Sequence, residues 1–284
     1  MPEKFLILGS SSFYGRNFAE YVRKRGDKPI LLSKPGWHLG DEVPDAAYVV
    51  NFASASLVSE SWDNPGLWIT TNVQSTTAMF RKLIGRCLKF VHVSTPESYG
   101  DTDDGWVEET YTAWKPSTPY AVSRAAADMM LMAYYRAYRF PAIITRTANI
   151  YGPGQQAHRF IPLAFDTFRR GEKLLLHGGG HTRRCFIHVR DACAALYLLA
   201  KQGSVGQTYH ISTEHDVSIS ELAHQICRML GKRSQDHIGT QPDRLGKDHA
   251  YLLDSTKLRN MGWRDTITLE KGLQEYGSRT GSAG

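Results

Sequence analysis

The sequence predicts an α/β fold in which a parallel sheet, wound by helices on both faces, presents its carboxyl edge to ligands. Short apolar runs at Lys4 to Leu8, Phe90 to Val93 and Ala142 to Thr145 lead into Gly-, Ser- or Thr-containing loops, as buried parallel strands do. Helix-forming stretches rich in Ala, Leu and Met lie between such runs. The first run also turns into a helix through Gly9-Ser10-Ser11-Ser12-Phe13-Tyr14-Gly15. Small residues there let backbone amides and the positive end of a helix dipole approach a pyrophosphate.

At 284 residues the chain can bury a large core in one α/β unit or two lobes. It has no apolar run long enough for a bilayer, and MPEKFLILGSSS enters a strand directly, so a cytoplasmic protein is expected. Cys87, Cys185, Cys193 and Cys227 lack paired spacing and are expected to be free thiols. The net charge of +6 comes from scattered Arg and Lys, which suits phosphorylated ligands and argues against nucleic acid. His177, His181, Cys185 and His188 straddle a glycine turn with no standard ligand spacing, so no metal is expected.

After the first turn, a helix is expected from about Arg16 to Arg25, then a strand at Pro29 to Lys34. A Pro- and Gly-bearing loop follows to Ala46, then a strand at Ala47 to Phe52 and a small-residue turn at Ala53-Ser54-Ala55. Later strands are expected before His177 and at Thr208 to Ser212. Helices are expected at Asp191 to Lys201, at Ser220 to Leu230 and beyond Asp254. Gly277 to Gly284 reads as a disordered end.

The chemistry concentrates between Val91 and Arg124. The strand there ends in VSTPESYG, and a loop of about twenty residues leads to Ser117-Thr118-Pro119, a helix start. Tyr120 and Arg124 then lie one turn apart on one helix face. A phenol of pKa about 10 can move protons near neutrality when a nearby cation favours its ionised form, and Arg124 could supply that charge.

A strand ending in Ser-Thr, this loop and a helix opening with Tyr and a cation resemble the extended short-chain dehydrogenase/reductase family. The run VSTPESYGDTDDGWVEETYTAWKPSTPYAVSR is most similar to the nucleotide-sugar 4,6-dehydratases, especially the dTDP-glucose type. The resemblance covers nearly the whole chain. It implies a Rossmann-like cofactor lobe over residues 1–152 and 184–212, shortened after its second strand. A smaller α/β substrate lobe would take residues 153–183 and 213–284.

The resemblance assigns roles residue by residue. Gly9, Ser12, Phe13, Tyr14 and Gly15 would cradle the dinucleotide, with Ser12 replacing the middle glycine of GxxGxxG. Ala53 and Ser54 would touch the cofactor. Ser33 and Lys34 at the end of the second strand lean slightly toward NADP over NAD, since an acidic residue there would accept from the NAD ribose. Tyr120 would take the proton from the sugar 4-hydroxyl, Thr95 would hold that oxygen, and Arg124 replaces the usual Lys. Glu97 would remove the C5 proton, while Pro96 stands where relatives carry the Asp that protonates the leaving 6-hydroxyl. Asn149 and Arg184 would contact the substrate diphosphate, Arg159 would lie near the nucleotide base and Arg244 near the nucleotide. Thr71-Asn72-Val73 resembles the family's helix with a structural Asn, and a homodimer through the helices near Asn72 and Met130 is implied.

The function expected is an NAD(P)-dependent nucleotide-sugar dehydratase. A 4-epimerase or a uronic-acid decarboxylase of the same family is the alternative within enzymes. A non-catalytic binding or regulatory protein is the alternative of another class, motivated by Ser12, Pro96, Arg124 and Ala250. Product mass separates the enzymes, and Tyr120→Phe separates catalyst from sensor.

Overall fold

The computed structural model describes residues 1–33 and 42–280. In chain order the strands are β1 (Lys4–Leu8), β2 (Lys28–Leu32), β3 (Tyr48–Asn51), β4 (Lys89–Ser94), β5 (Trp106–Val107), β6 (Ala142–Thr147) and β7 (Asn149–Tyr151). They continue as β8 (Leu174–His177), β9 (Arg183–His188), β10 (Thr208–Ile211), β11 (Asp216–Ser218), β12 (Ile238–Gln241) and β13 (Leu252–Leu253). The helices are α1 (Phe13–Lys24), α2 (Pro65–Trp68), α3 (Thr76–Leu83), α4 (Pro119–Tyr138), α5 (Phe160–Arg169) and α6 (Val189–Gln202). Then come α7 (Ile219–Met229), α8 (Ser234–His237), α9 (Thr256–Asn260) and α10 (Leu269–Thr280).

Six parallel strands form the central sheet in the order β10-β6-β4-β3-β1-β2. The winding reverses at β1, whose neighbours are β2 and β3, and a crevice opens at such a switch point beyond the carboxyl ends of the strands. The apolar strands are buried because both faces are covered. Phe18 and Val22 of α1 pack with Leu196 and Leu199 of α6 against one face. Phe80 and Leu83 of α3 and Leu131 of α4 cover the other. Each such side chain contributes about 1.5–3 kcal/mol on burial. The expected doubly wound sheet is therefore observed.

A second cluster lies apart from this sheet. Phe165 and Phe168 of α5, Leu222 and Ile226 of α7, and Leu273 of α10 enclose it. The three-stranded sheet β11-β9-β7 and the pair β12-β8 accompany these helices.

Three local differences from expectation have physical causes. Helix α1 starts at Phe13, because the Ser12 side chain accepts from Gly15 N at 3.1 Å and caps the first turn. Strand β2 stops at Leu32, so Ser33 follows it and Lys34 lies outside the described residues. The expected shortening after the second strand falls partly on those same residues; among the described residues β2 is the sheet edge. The chain end is ordered further than expected: α10 reaches Thr280, with Leu273 and Tyr276 buried on the second cluster and Arg169 donating to Gly277 O at 2.7 Å. Residues 281–284 lie outside the described residues.

Candidate active site

At the β1–α1 turn, Gly9 has φ +72°, and a Cβ there would lie 2.6 Å from Ala53 N. A Cβ on Gly15 would lie 2.5 Å from Gly9 O. The turn, the start of α1 and the turn after β3 are thus packed backbone to backbone, which only glycine permits at Gly9. Asn51 fixes the second turn by accepting from Ala53 N at 3.0 Å. Ser33 is joined to Ser11 through their hydroxyls. Tyr14 is committed elsewhere, its hydroxyl donating to Ala192 O at 3.0 Å.

A cleft of about 1160 Å³ runs from Ser12, Phe13, Tyr14 and Ser54 past Thr95, Glu97, Tyr120 and Arg124. It continues to Asn149, Arg159, Arg184 and Arg244. Ser12, Phe13 and Tyr14 of the β1–α1 turn thus share one cleft with these arginines. A tight backbone cradle, capping hydroxyls and a cleft extending to the Tyr fit a dinucleotide.

Tyr120 occupies the first turn of α4. Thr118 caps that helix by accepting from Ala121 N at 3.1 Å, and Pro119 is preorganised for the first helical position. Asn72, inside the π-helical segment Ile69–Ser75, makes three bonds that hold this start in place. It accepts from Ala55 N at 2.8 Å, donates to Ala55 O at 3.1 Å and donates to Ser123 Oγ at 2.9 Å. Ser123 in turn donates to Tyr120 O at 2.7 Å. The structural Asn expected from the sequence therefore positions the helix of the Tyr.

Arg124 is buried, and its guanidinium donates to the Val93 carbonyl. It pulls the Tyr120 phenol downward, as does a hydrogen bond with Thr95, but burial and the Glu97 charge outweigh both and push the phenol up to about 12. The expected lowering by Arg124 is present and is not the dominant effect.

Glu97 sits on the 3-10 turn Pro96–Ser98, whose amide at Glu97 donates to Thr95 Oγ1 at 3.3 Å. Burial and the Asp248 charge push its carboxyl up to about 7, against Arg184, Arg244 and Arg159. It can therefore act as a base near neutrality.

Arg184 is clamped. It donates to the carbonyls of Arg183 at 2.7 Å, His249 at 2.8 Å and Asp248 at 2.8 Å, and its guanidinium lies 3.9 Å from the centre of the Tyr251 ring. Tyr251 donates to Asn149 Oδ1 at 3.2 Å. A fixed guanidinium with donors to spare suits an anionic diphosphate. Arg244 is exposed and Arg159 precedes α5, so these two reach the cleft with freer side chains.

Sequence reasoning gave no role to Asp248, which lines the same cleft as Glu97, or to Tyr251. The buried polar cluster behind Arg124 went unread as well. Asp128 accepts there from Arg146 at 2.9 Å and Ser94 at 2.8 Å. His92 Nδ1 lies 3.2 Å from the Asn51 amide, and its Nε2 lies 3.5 Å from the Arg124 guanidinium and 3.6 Å from Asp128. Burial and the neighbouring Arg124 and Arg146 keep His92 neutral. A polar residue at alternate strand positions, as in Phe90-Val91-His92-Val93-Ser94, was the available signal. Among the described residues no group of three His, Cys, Asp or Glu is placed to hold a metal.

The GDP-mannose 4,6 dehydratase family matches this chain over residues 42–276. The low-salt glycan biosynthesis protein Agl12 of Haloferax volcanii is 30% identical, the match covering 95% of this chain and 96% of that protein. The dTDP-glucose 4,6-dehydratase of Streptomyces niveus is 35% identical over 80% of this chain and 68% of its own. Among solved structures, the dTDP-glucose 4,6-dehydratase of Bacillus anthracis in complex with NAD superposes with a TM-score of 0.88. Its identity is 29%, and the superposition covers 99% of this chain and 97% of that one.

Proposed function

The chain belongs to the GDP-mannose 4,6 dehydratase family, and from that premise we propose that it removes water from a nucleoside-diphosphate hexose. The observation that carries the reading is Glu97, a carboxyl poised at about 7 in the same cleft as Tyr120. A 4-epimerisation has no use for a base at that place, whereas elimination across C5 and C6 requires one.

The Gly9–Gly15 cradle with Ser12, Ala53 and Ser54 would hold NAD, which supplies the acceptor for hydride from C4 and the donor that returns it at C6. NAD bound to the Bacillus anthracis relative supports this choice. The slight lean toward NADP rested on Ser33, whose hydroxyl is paired with Ser11, and on Lys34. Tyr120 takes the proton of the 4-hydroxyl, Thr95 holds that oxygen and Arg124 stabilises the phenolate. Glu97 takes the C5 proton, which the adjacent ketone acidifies. Arg184, Asn149, Arg159 and Arg244 hold the diphosphate and nucleoside.

In this reading the described residues of 1–152 and 184–212 serve the cofactor, and those of 153–183 and 213–284 serve the sugar nucleotide. Exposed Val122, Met129 and Met130 on α4, with Leu67 and Ile69 nearby in sequence to Asn72, support a homodimer through these helices. Cytoplasmic placement is part of the same proposal, supported by four free cysteines and, among the described residues, no helix long and apolar enough to cross a membrane.

The test is mass spectrometry of GDP-mannose, UDP-glucose and dTDP-glucose after incubation with the protein and NAD or NADP. Loss of one water from any of them supports the reading; unchanged masses throughout contradict it.

A further inference from the structure

Elimination of a hydroxyl needs an acid as well as a base. The turn that carries Glu97 has none to offer. Pro96 is apolar, and Ser98 is buried with its hydroxyl donating to Thr95 O at 3.0 Å. The acid must come from another segment. Among the described residues lining the cleft, the carboxyls are Glu60, Glu97 and Asp248. Glu60 is exposed on the short turn Ser59–Ser61, whereas Asp248 is only 6% exposed.

The backbone holds Asp248 against the segment that follows Glu97. Thr102 N donates to Ala250 O at 3.0 Å, Ala250 N to Asp101 Oδ1 at 3.2 Å, and Leu252 N to Thr102 Oγ1 at 3.2 Å. The same segment is docked on the start of α4. Ser117 Oγ donates to Gly246 O at 3.0 Å, and a Cβ at Gly246, where φ is +63°, would lie 2.6 Å from Ser117 O. Asp248 is thus fixed relative to both Glu97 and the helix of Tyr120. Arg184 binds its main-chain carbonyl at 2.8 Å.

We propose that Asp248 is the catalytic acid that protonates the departing 6-hydroxyl, in place of the residue that Pro96 displaces. This rests on the 4,6-dehydratase reading. In the step, the C5–H bond breaks and its proton passes to the Glu97 carboxylate. The electron pair forms the C5–C6 double bond, the C6–O bond breaks, and the Asp248 proton joins the leaving hydroxide as water. Solvent returns a proton to Asp248, balancing the one that Tyr120 released from the 4-hydroxyl. Burial raises the Asp248 carboxyl and so favours its protonated form.

The test compares wild type with Asp248→Asn on whichever of GDP-mannose, UDP-glucose and dTDP-glucose the wild type dehydrates, and on its 6-deoxy-6-fluoro analogue. Fluoride leaves without a proton. Asp248→Asn is expected to slow water loss about 100-fold or more while fluoride release stays within about threefold of wild type. Equal slowing of both, or of neither, overturns the role of Asp248 and leaves the dehydratase reading intact. A wild type that dehydrates none of the three sugars overturns both.

Discussion

The guanidinium of Arg124 donates to the main-chain carbonyl of Val93, joining the helix of Tyr120 to the strand that leads to Thr95 and Glu97. The cation therefore has two tasks, tethering α4 and opposing the rise of the phenol caused by burial and Glu97. Arg124→Met removes both, and kcat is expected to fall by about 10²–10⁴, with the ascending limb of activity that reports the phenol moved to higher pH. Arg124→Lys keeps the charge and loses the fork, so it should fall between. Profiles of kcat against pH for the three proteins check this; identical profiles would separate Arg124 from the phenol.

Glu97 must be ionised to act as a base, so turnover should rise as pH climbs through about 7. The stability effect runs the other way. Its folded pKa lies above the unfolded value, so the folded state binds the extra proton between about 4.5 and 7, and stability falls as pH rises through that window. Glu97→Gln should abolish turnover and unfold at higher urea than wild type at pH 8, with the difference vanishing near pH 4. A variant less stable at pH 8 would contradict the raised pKa.

Ser12 holds the start of α1 by accepting from Gly15 N. Ser12→Ala should cost about 0.5–2 kcal/mol, and Ser12→Gly only a few tenths. Gly9→Ala is expected to be worse than either, because its Cβ would meet the backbone at Ala53 and its φ is positive. Urea titrations give the order, and NAD binding by calorimetry should weaken most for Gly9→Ala.

Asp128 lies fully buried between Arg146 and Ser94. Asp128→Ala leaves Arg146 without its carboxylate and should destabilise by about 3–5 kcal/mol. Arg146 also stacks 4.5 Å from the Tyr99 ring centre, so it cannot simply withdraw to solvent. Chemical denaturation measures the loss, and a change under 1 kcal/mol (about fivefold in the folding equilibrium) would mean that the cluster is not coupled as drawn.

The sheet was legible because each strand is a short apolar run cut off by turn residues, and β1 falls where it was expected, at Lys4–Leu8. Tyr120, Thr95 and Glu97 were legible because they lie within one continuous stretch, and the structure brings all three to one cleft. Asp248 was not, since it reaches Glu97 only through pairing between segments some 150 positions apart, such as Leu252 with Thr102. Local periodicity carries no record of that pairing. The start of α1 was placed late because Phe13 and Tyr14 read as part of the glycine turn, while the Ser12 cap decided the boundary. The order of α10 up to Thr280 was missed because Gly and Ser suggest a frayed end, and the burial of Tyr276 overrides that preference.

The most direct test of the account is to run the reaction in D2O with the nucleotide sugar that the protein dehydrates, and to locate deuterium in the product. With Glu97 taking the C5 proton in a solvent-accessible cleft, the product should have lost one water and gained one deuterium at C5, and Glu97→Gln should yield no such product. A product that keeps its water, or that loses water without deuterium at C5, would contradict the assignment of Glu97 as the base of a 4,6-dehydration.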